Sequence, residues 1–210
     1  MIKTVVIATS NPDKVEEIND IAADSGIEFI CAPEKFNAVE NGETFAENAY
    51  IKAREAALMT GMYALGDDSG LCVDAMGGAP GIYSSRFAST PKKRIIKLLD
   101  LLRNVPEGDR TAKFVCSMVL VDPEGQKVKG ADGAVYGNII SNPIGTHGFG
   151  YDPVFYIPAY NKTMAQLSSE IKNQISHRAV ALEEIIAYII RHNNYLKTKA
   201  RKKARKYREL

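Results

Sequence analysis

The chain begins with the pattern of a buried strand followed at once by an amphipathic helix. The apolar run at residues 5–8 (VVIA) is typical of a strand that is buried on both faces. Asn11 then suits a helix N-cap, and Pro12 suits the first helical position, where no backbone donor is needed. Apolar residues recur at helical spacing at positions 15, 18, 21 and 22. The pattern therefore predicts a strand, a tight turn and a helix.

The rest of the chain continues as helices at both ends with a strand-rich middle. Thr44 and Glu47 have the spacing of a capping box at the start of a second helix. Apolar and polar residues alternate after Thr111, as in half-buried strands, and residues 122–125 (DPEG) are typical of a hairpin turn. The predicted helices cover residues 44–59 and 95–102 and begin again near 176, and the predicted strands cover 62–65, the region 111–140 and 154–157. The order indicates an α/β fold without internal repeats.

Two adjacent acids follow the short apolar run at residues 62–65. We predict that residues 66–70 (GDDSG) form a loop at the mouth of that strand. Like charges at close range disfavour joint ionisation, so Asp67 and Asp68 need a cation, and Mg²⁺ is the natural partner of paired carboxylates. A turn with a solvated acid is the alternative interpretation. Ser69 is not predicted to be a nucleophile, because Asp67 occupies the position that a nucleophile elbow reserves for glycine.

Length and composition limit the class of protein. A chain of 210 residues with 45% hydrophobic residues can bury one substantial core, as one domain or two closely packed lobes. The three cysteines, Cys31, Cys72 and Cys116, have no spacing typical of a disulfide framework or a zinc site. No apolar stretch approaches the length of a signal peptide or a membrane span. We therefore expect a cytoplasmic protein with no membrane partner.

Basic residues are concentrated at the end of the chain. Residues 197–208 contain eight Lys or Arg, whereas residues 1–196 contain 19 basic and 24 acidic side chains, a net charge of −5. We therefore divide the chain into a domain at 1–196 and a basic tail at 197–210. The tail could contact nucleic acid or another anionic surface by screened attraction, or it could be a solvated helical extension.

Residues 9–14 (TSNPDK) could hold an anion. A helix that begins directly after a buried strand presents free backbone N–H groups and a positive dipole end, and Lys14 adds a mobile charge in the first turn. The chain has no Walker A loop, so this phosphate signal is weak. An ordinary capped helix with a surface lysine is the alternative.

A glycine-flanked aromatic and a group of cations form the last candidate. Phe149 lies in a glycine-rich loop and could stack on a nucleobase, although it could equally be a core anchor. Lys172, His177 and Arg178 lie just before and within the first turn of the last predicted helix. His147, His177 and His192 have no metal-type spacing, so His177 is predicted to be a hydrogen-bonding or structural residue.

Taken together, these motifs resemble the inosine triphosphate pyrophosphatase family, whose members remove deaminated purine nucleotides. The resemblance spans residues 8 to 178, and both the order of the motifs and their amino-acid sequences are specific to the family. The matching stretches are ATSNPDK at 8–14, GETFAENA at 42–49, DDSGL at 67–71, GAPGIYSSR at 78–86, FGYDP at 149–153 and SHR at 176–178.

The resemblance implies a role for each site residue. Asp68 would be the catalytic base that activates water, with Lys14 and Lys52 as its catalytic partners. Glu40 and Asp68 would hold Mg²⁺, with Asp67 close enough to help. The triphosphate would be held by Lys52 and by Thr9, Ser10, Asn11, Pro12, Asp13 and Lys14. Ser69 would contact the substrate, and the base and sugar pocket would consist of Phe149, Gly150, Tyr151, Asp152, Lys172, His177 and Arg178.

The resemblance also implies the fold and the reaction. The fold would be a long mixed twisted sheet flanked by helices, in two lobes with a central active-site cleft, and the protein would be a homodimer. The reaction would cleave inosine and xanthosine triphosphates or their deoxy forms to the monophosphate and pyrophosphate. If so, Lys14 and Asp68 should face one cavity. A pyrophosphatase with another base preference and a nucleic-acid-binding protein that uses its basic tail are the alternatives.

Overall fold

One seven-stranded sheet with helices packed against it forms the part of the chain that the structure, a computed structural model, describes: residues 1–9 and 12–208. The strands are β1 (Thr4–Ile7), β2 (Glu28–Cys31), β3 (Ala64–Val73), β4 (Thr111–Val121), β5 (Lys127–Ile139), β6 (Phe155–Ile157) and β7 (Lys162–Thr163). The α-helices are α1 (Pro12–Ile21), α2 (Phe45–Thr60), α3 (Pro91–Leu101), α4 (Ser169–Ile175) and α5 (His177–Arg208).

The sheet is mixed, with the strand order β2-β1-β3-β4-β5-β6-β7. β1 lies parallel to both β2 and β3, and every later pair is antiparallel. This confirms the predicted fold class of a mixed sheet flanked by helices. The division into two lobes stays a prediction.

β1 is much shorter than its neighbour β3. It pairs with β3 only at Val6–Ala64 and Ile7–Leu65, and the backbone N–H of Ala8 then donates to the carbonyl of Leu65. Beyond Leu65, no described strand continues this pairing until Cys72 bridges to Pro80. The edge of β3 at residues 66–70 is therefore unpaired within the described part of the sheet. It lies at the carboxyl ends of two parallel strands, where α/β sheets commonly bind ligands.

The predicted loop at residues 66–70 is wrong, because β3 runs through it without interruption. Every residue from Gly66 to Gly70 has a partner on β4. The glycines, which suggested a turn, instead allow close approach: a Cβ on Gly66 would lie 1.8 Å from the carbonyl oxygen of Ala49 on α2. Glycine inside a strand often marks such an approach of another backbone.

α2 crosses β3 at this point and carries the predicted capping box. The Thr44 hydroxyl accepts from the backbone N–H of Glu47, and the Glu47 carboxylate accepts from the backbone N–H of Thr44. Small side chains let the helix approach the sheet closely. The fully buried alanines of α2 are Ala49, Ala53, Ala56 and Ala57.

α5 covers the other face of the sheet. Its apolar residues Leu182, Ile185 and Ile189 are fully buried, and Gly133 of β5 lies against its first turn, where a Cβ would come within 2.1 Å of the His177 carbonyl oxygen. The helix continues through residues 197–208 without a break. It begins at His177, close to the predicted start near residue 176.

Several boundaries differ from the predictions. α1 begins at Pro12 as predicted, whereas the proposed N-cap Asn11 lies outside the described residues. α3 begins four residues earlier than predicted, because Thr90 caps it and Pro91 takes the first helical position. α4 was not predicted as a helix, and its seven residues are too few to give a clear period. None of the helices in the described part of the chain combines the length and the apolar character needed to cross a lipid bilayer.

The contact between α2 and β3 at Gly66 can be tested by adding one methyl group. Gly66→Ala should destabilise the fold by about 3 kcal/mol or more, because the new Cβ meets helix backbone that cannot move aside. Gly108→Ala is the control, since a Cβ there meets nothing within 4 Å. Urea unfolding measures both variants, and equal stabilities would contradict the close approach.

Candidate active site

The two acids of β3 point to opposite faces of the sheet. Side chains alternate along a strand, and the structure follows this rule at Asp67 and Asp68. Asp67 faces α1 and α5, where it contacts Lys14 and Arg178. Asp68 faces α2, where it contacts Lys52. Two charged clusters therefore lie back to back at the unpaired edge of β3.

The first cluster is a buried network around Asp67. One carboxylate oxygen lies 2.7 Å from Lys14 Nζ, and the other lies 2.9 Å from Arg178 Nε. Ser69 Oγ donates to that second oxygen at 3.3 Å. Arg178, only 2% exposed, also donates from a terminal nitrogen to Glu17 at 3.0 Å. The network joins α1, β3 and α5.

Both charges of this network are strongly stabilised. Burial alone would raise the pKa of the Asp67 carboxyl, but Arg178 and Lys14 outweigh burial and hold that pKa well below its usual range. Burial opposes the charged form of Arg178 as well, yet Asp67 and Glu17 raise its pKa above the ordinary value. Both groups are therefore ionised at neutral pH.

The second cluster contains Lys52, Glu40 and Asp68. Lys52 Nζ lies 2.8 Å from a carboxylate oxygen of Glu40 and 3.2 Å from Oδ1 of Asp68. The other oxygen of Asp68, Oδ2, is buried and has no hydrogen-bond partner among the described residues. Burial raises the pKa of Asp68, and Lys52 offsets only part of that effect. Burial would likewise lower the pKa of Lys52, but Asp68, Asp67 and Glu40 raise it.

The start of α2 holds the loop that carries Glu40. The Asn48 side chain is fully buried and accepts from the backbone N–H of Gly42 at 2.8 Å. A Cβ on Gly42 would lie 2.7 Å from Cβ of Glu47, so only glycine fits there. Lys52 follows Asn48 by one helical turn. One helix therefore positions both Lys52 and the loop that brings Glu40 to it.

A cavity opens beside the Asp67 network, and all seven predicted residues of the base and sugar pocket line it. Phe149 is 57% exposed, so it is not a core anchor, and its ring lies 5.0 Å from Lys172 Nζ. Arg178 lies under the same ring at 6.0 Å. The predicted residues found in this cavity are Lys14, Ser69, Phe149, Gly150, Tyr151, Asp152, Lys172, His177 and Arg178.

Asp152 organises the loop that carries Phe149. Its Oδ2 accepts from the backbone N–H of Phe149 at 3.1 Å and from Lys172 Nζ at 3.0 Å. Burial raises the pKa of Asp152, and Lys172 opposes that rise. Gly148 has φ of +75° and a Cβ there would strike the same carboxylate, so glycine is required at this turn.

His177 is a neutral residue of the cavity wall. Burial, together with Arg178, lowers its pKa well below the ordinary value. Its ring stacks on Phe114, and its Nδ1 is buried without a hydrogen-bond partner among the described residues. The described residues contain no group of three His, Cys, Asp or Glu side chains arranged to hold a metal ion. His177 thus lines the cavity without belonging to a metal cluster of the described residues.

Comparison with known proteins places this arrangement in a family. The model of the Ham1 family matches residues 5–188. The chain belongs to the Ham1 family. A dITP/XTP pyrophosphatase of Xylella fastidiosa (strain 9a5c) is 47% identical over 191 residues, which cover 88% of this chain and 96% of the relative. A dITP/XTP pyrophosphatase of Yersinia pseudotuberculosis is 46% identical over 188 residues, which cover 87% of this chain and 95% of the relative.

Solved structures of Ham1 proteins have the same fold. The Ham1 protein of Coxiella burnetii matches with a TM-score of 0.81 and 40% identity, over 90% of this chain and 100% of that chain. The Ham1 protein of Staphylococcus aureus matches with a TM-score of 0.80 and 41% identity over the same shares. The predicted resemblance to the inosine triphosphate pyrophosphatases is thereby confirmed at the level of the family.

In this Ham1 protein some predicted site residues are not brought together. Asp68 is not among the residues that line the cavity containing Lys14, because it faces the other side of β3, so the described residues do not show the expected shared cavity. Asp67 has both oxygens engaged by cations on the face opposite Asp68 and Glu40. It is therefore not placed to ligate the same ion as Asp68.

The anion-binding segment is only partly described. Ser10 and Asn11 lie outside the described residues, and for Pro12 and Asp13 only the backbone is described. Thr9 is half-buried at the end of β1, and its carbonyl accepts from the backbone N–H of Ala32. The predicted role of this segment stays a prediction.

Several residues of the Ham1 site were missed from the sequence. Glu17 and Arg94 gave no signal, because charged residues on exposed helix faces are common. Ser84 and Ser85 lie within a matching stretch, and Ser84 connects the cavity to β3 by accepting from the backbone N–H of Leu71. Its carbonyl accepts from the hydroxyl of Tyr151, whose pKa burial raises to about 12. The cavity residues not predicted are Gly70, Leu71, Ser84, Ser85, Arg94, Phe114 and Met164.

The Asp67 network should be measurable as stability. Asp67→Asn should cost about 3–5 kcal/mol at neutral pH, because it leaves the buried Arg178 charge short of a partner. The folded pKa of Asp67 is depressed, so its contribution is present above the unfolded value of about 3.9 and is lost as the pH falls towards the folded pKa.

Urea unfolding from pH 7 down to pH 3 tests this. The difference in the free energy of unfolding between wild type and Asp67→Asn should be constant above about pH 5 and should shrink below about pH 4. Asp100→Asn, which removes an exposed ion pair with Arg103, should cost less than about 1 kcal/mol throughout. If Asp67→Asn loses no more unfolding free energy than Asp100→Asn, the stabilising role of the Asp67 network is contradicted.

Proposed function

We propose that this Ham1 protein hydrolyses non-canonical purine nucleoside triphosphates, the inosine and xanthosine nucleotides and their deoxy forms, to the monophosphate and pyrophosphate. The observation that carries the proposal is the pair of clusters at the unpaired edge of β3. A cavity with an exposed aromatic ring and cations lies on one face, and a lysine with two carboxylates lies on the other. The names of the relatives, dITP/XTP pyrophosphatase, agree with it.

The substrate would extend around the edge of β3. The base stacks on Phe149 and lies beside His177 and Arg178, because these residues line the cavity. The phosphates then pass the unpaired residues 66–70 to reach Lys52 and Asp68. Lys14 and the tip of α1, with Thr9, Ser10, Asn11, Pro12 and Asp13, hold the triphosphate on the way. This path explains how one substrate can meet both clusters although the clusters face opposite ways.

Mg²⁺ is the proposed cofactor, and Glu40 and Asp68 are its proposed ligands. The donors fit a hard cation, because both are carboxylates and Asp68 Oδ2 is buried without a partner among the described residues. A bound Mg²⁺ would neutralise charge on the phosphate oxygens. Asp67 is left out of this set, since Lys14 and Arg178 hold its two buried oxygens at 2.7 and 2.9 Å. The Glu40 oxygens also meet cations, Lys52 at 2.8 Å and Arg86 at 3.7 Å, but the Glu40 and Arg86 side chains are more exposed than Asp67, so solvent weakens the Arg86 contact.

Asp68 is the proposed catalytic base. Its carboxylate takes a proton from a water molecule that attacks the α-phosphorus, and pyrophosphate leaves. Lys52 touches the same carboxylate and stabilises the negative charge that develops on the phosphate. The connection to Lys52 also keeps Asp68 oriented towards the phosphates. Glu40 holds Lys52 from the other side at 2.8 Å.

Two further properties follow from the family resemblance. We assign the protein to the cytoplasm, in agreement with its three free cysteines, Cys31, Cys72 and Cys116. We also assign it a homodimeric state.

A pyrophosphatase or phosphatase with a different base preference is the second candidate, and analysis of the products formed from inosine triphosphate distinguishes the alternatives. Pyrophosphate from inosine triphosphate supports the main proposal, and orthophosphate would argue against it.

The role of Asp68 is tested by removing its charge while nearly preserving its shape. Asp68→Asn should lower kcat for inosine triphosphate with Mg²⁺ by about 10²–10⁴-fold, because the base is lost. Asp100→Asn on the exposed face of α3 is the matched control and should retain wild-type turnover. Pyrophosphate release across a panel of inosine, xanthosine, adenosine and guanosine triphosphates measures both. Turnover of Asp68→Asn within a few-fold of wild type would refute the assignment.

Selectivity for a 6-oxo purine is tested at Arg178. A buried donor that meets an amine instead of a carbonyl oxygen is left without an acceptor, which costs about 1–3 kcal/mol of binding free energy. Arg178→Lys keeps a positive charge beside Asp67 but removes the planar donor set. The ratio of kcat/KM for inosine over adenosine triphosphate should then fall by about 10–100-fold. An unchanged ratio would show that Arg178 does not read the base.

A further inference from the structure

We propose that the end of α5 is a nucleic-acid-binding surface that is separate from the catalytic site. The surface, which we term the basic extension, consists of residues 197–208. Its partner would be the sugar-phosphate backbone of a duplex, bound without sequence preference. This proposal does not depend on the pyrophosphatase activity.

Charge separates the basic extension from the rest of the protein. It contains eight Lys or Arg and no acid, whereas residues 1–196 have a net charge of −5. On a helix, like charges one turn apart repel each other, and Lys197 and Arg201 are such a pair. No acid within the extension offsets this repulsion. The countercharge must therefore come from outside this segment.

The body of the protein does not supply that countercharge within the described structure. Lys197, Lys199, Arg201 and Lys202 are all exposed. None of them takes part in the ion pairs that connect described residues. Their charges face solvent and are free to meet a partner.

The density of positive charge along the axis of the basic extension is similar to the phosphate charge density of a nucleic acid duplex. The twelve helical residues are about 18 Å long, so the extension has one positive charge per roughly 2.2 Å. A duplex has one phosphate charge per about 1.7 Å of its axis. The acidic body of a second copy is a poorer match, because its excess of five charges is spread over 196 residues.

An anionic membrane is also a poorer match. Helices that lie in a membrane interface combine basic residues with a face of large apolar side chains. Between residues 197 and 208 the uncharged positions are Thr198, Ala200, Ala204 and Tyr207, so the sequence offers one large non-polar ring and no aliphatic side chain larger than alanine. Nothing in this composition would insert between lipids.

The basic extension lies far from the cavity and outside the residues that the family model matches. His177 and Arg178 are at the start of α5, and Lys197 follows twenty residues later, about 30 Å along the helix axis. The Ham1 family match ends at residue 188. The extension can therefore add a binding function without touching the reacting groups.

The test measures the salt dependence of duplex binding. Fluorescence anisotropy of a labelled 30-base-pair DNA of mixed sequence is followed from 50 to 200 mM NaCl, with the full chain. Eight phosphate contacts predict a slope of log K against log [salt] of about −7, equivalent to a loss of roughly 10⁴-fold in affinity. The variant K197Q/K199Q/R201Q/K202Q should reduce the slope to about −4 and the loss to about 10²-fold. Glutamine has a helix propensity similar to that of lysine and arginine, so the variant should keep the helix.

The matched control removes the same charge from the body. K35Q/K92Q/K127Q/K162Q changes four exposed lysines outside α5 and should leave the slope unchanged. Both variants should hydrolyse inosine triphosphate at the wild-type rate. Three results would overturn the proposal: no salt-dependent duplex binding by wild type, equal slopes for the two variants, or binding to phosphatidylserine vesicles in place of the duplex. If the wild-type protein does not hydrolyse inosine triphosphate, that result would count against the proposed function alone.

Discussion

The buried carboxylate of Asp67 connects the elements on which the site depends. It lies in the middle of β3 and receives Lys14 from α1 and Arg178 from α5. These residues are 53 and 111 positions away from it along the chain. A charge that is fully buried must be paired to remain stable, so the stability of the folded state depends on all three elements being in place. The cavity wall is therefore assembled by the same interaction that stabilises the fold.

The sequence predicted the large elements because their patterns are local. The capping box at Thr44, the proline at the start of α1 and the hairpin turn at Asp122 depend only on neighbouring residues, and the structure confirms all three. The segment at residues 66–70 was misjudged because its glycines resemble a turn. They are glycines for non-local reasons: α2 approaches Gly66, and the carbonyl of Gly81 approaches Gly70. No local pattern shows which segment will come close to a strand.

The site was predictable as a set of residues but not as an arrangement. Nine of the predicted residues line one cavity, because the motifs that carry them are distinctive. The division of the site residues into two clusters is a property of the sheet. Adjacent residues of a strand face opposite sides, so Asp67 and Asp68 cannot share one environment in a continuous β3. Glu17 could not have been found, since only the packing of α1 against α5 turns a surface acid into a partner of Arg178.

The unpaired edge of β3 has a consequence for the handling of the protein as well as for its chemistry. Exposed strand edges are templates on which another chain can add a strand and begin to aggregate. At residues 66–70 that edge is short, and its residues are buried except for the half-buried Ser69, so an intruding strand has little access to it. The packing of helices that builds the candidate site therefore also limits aggregation at this unpaired stretch of β3.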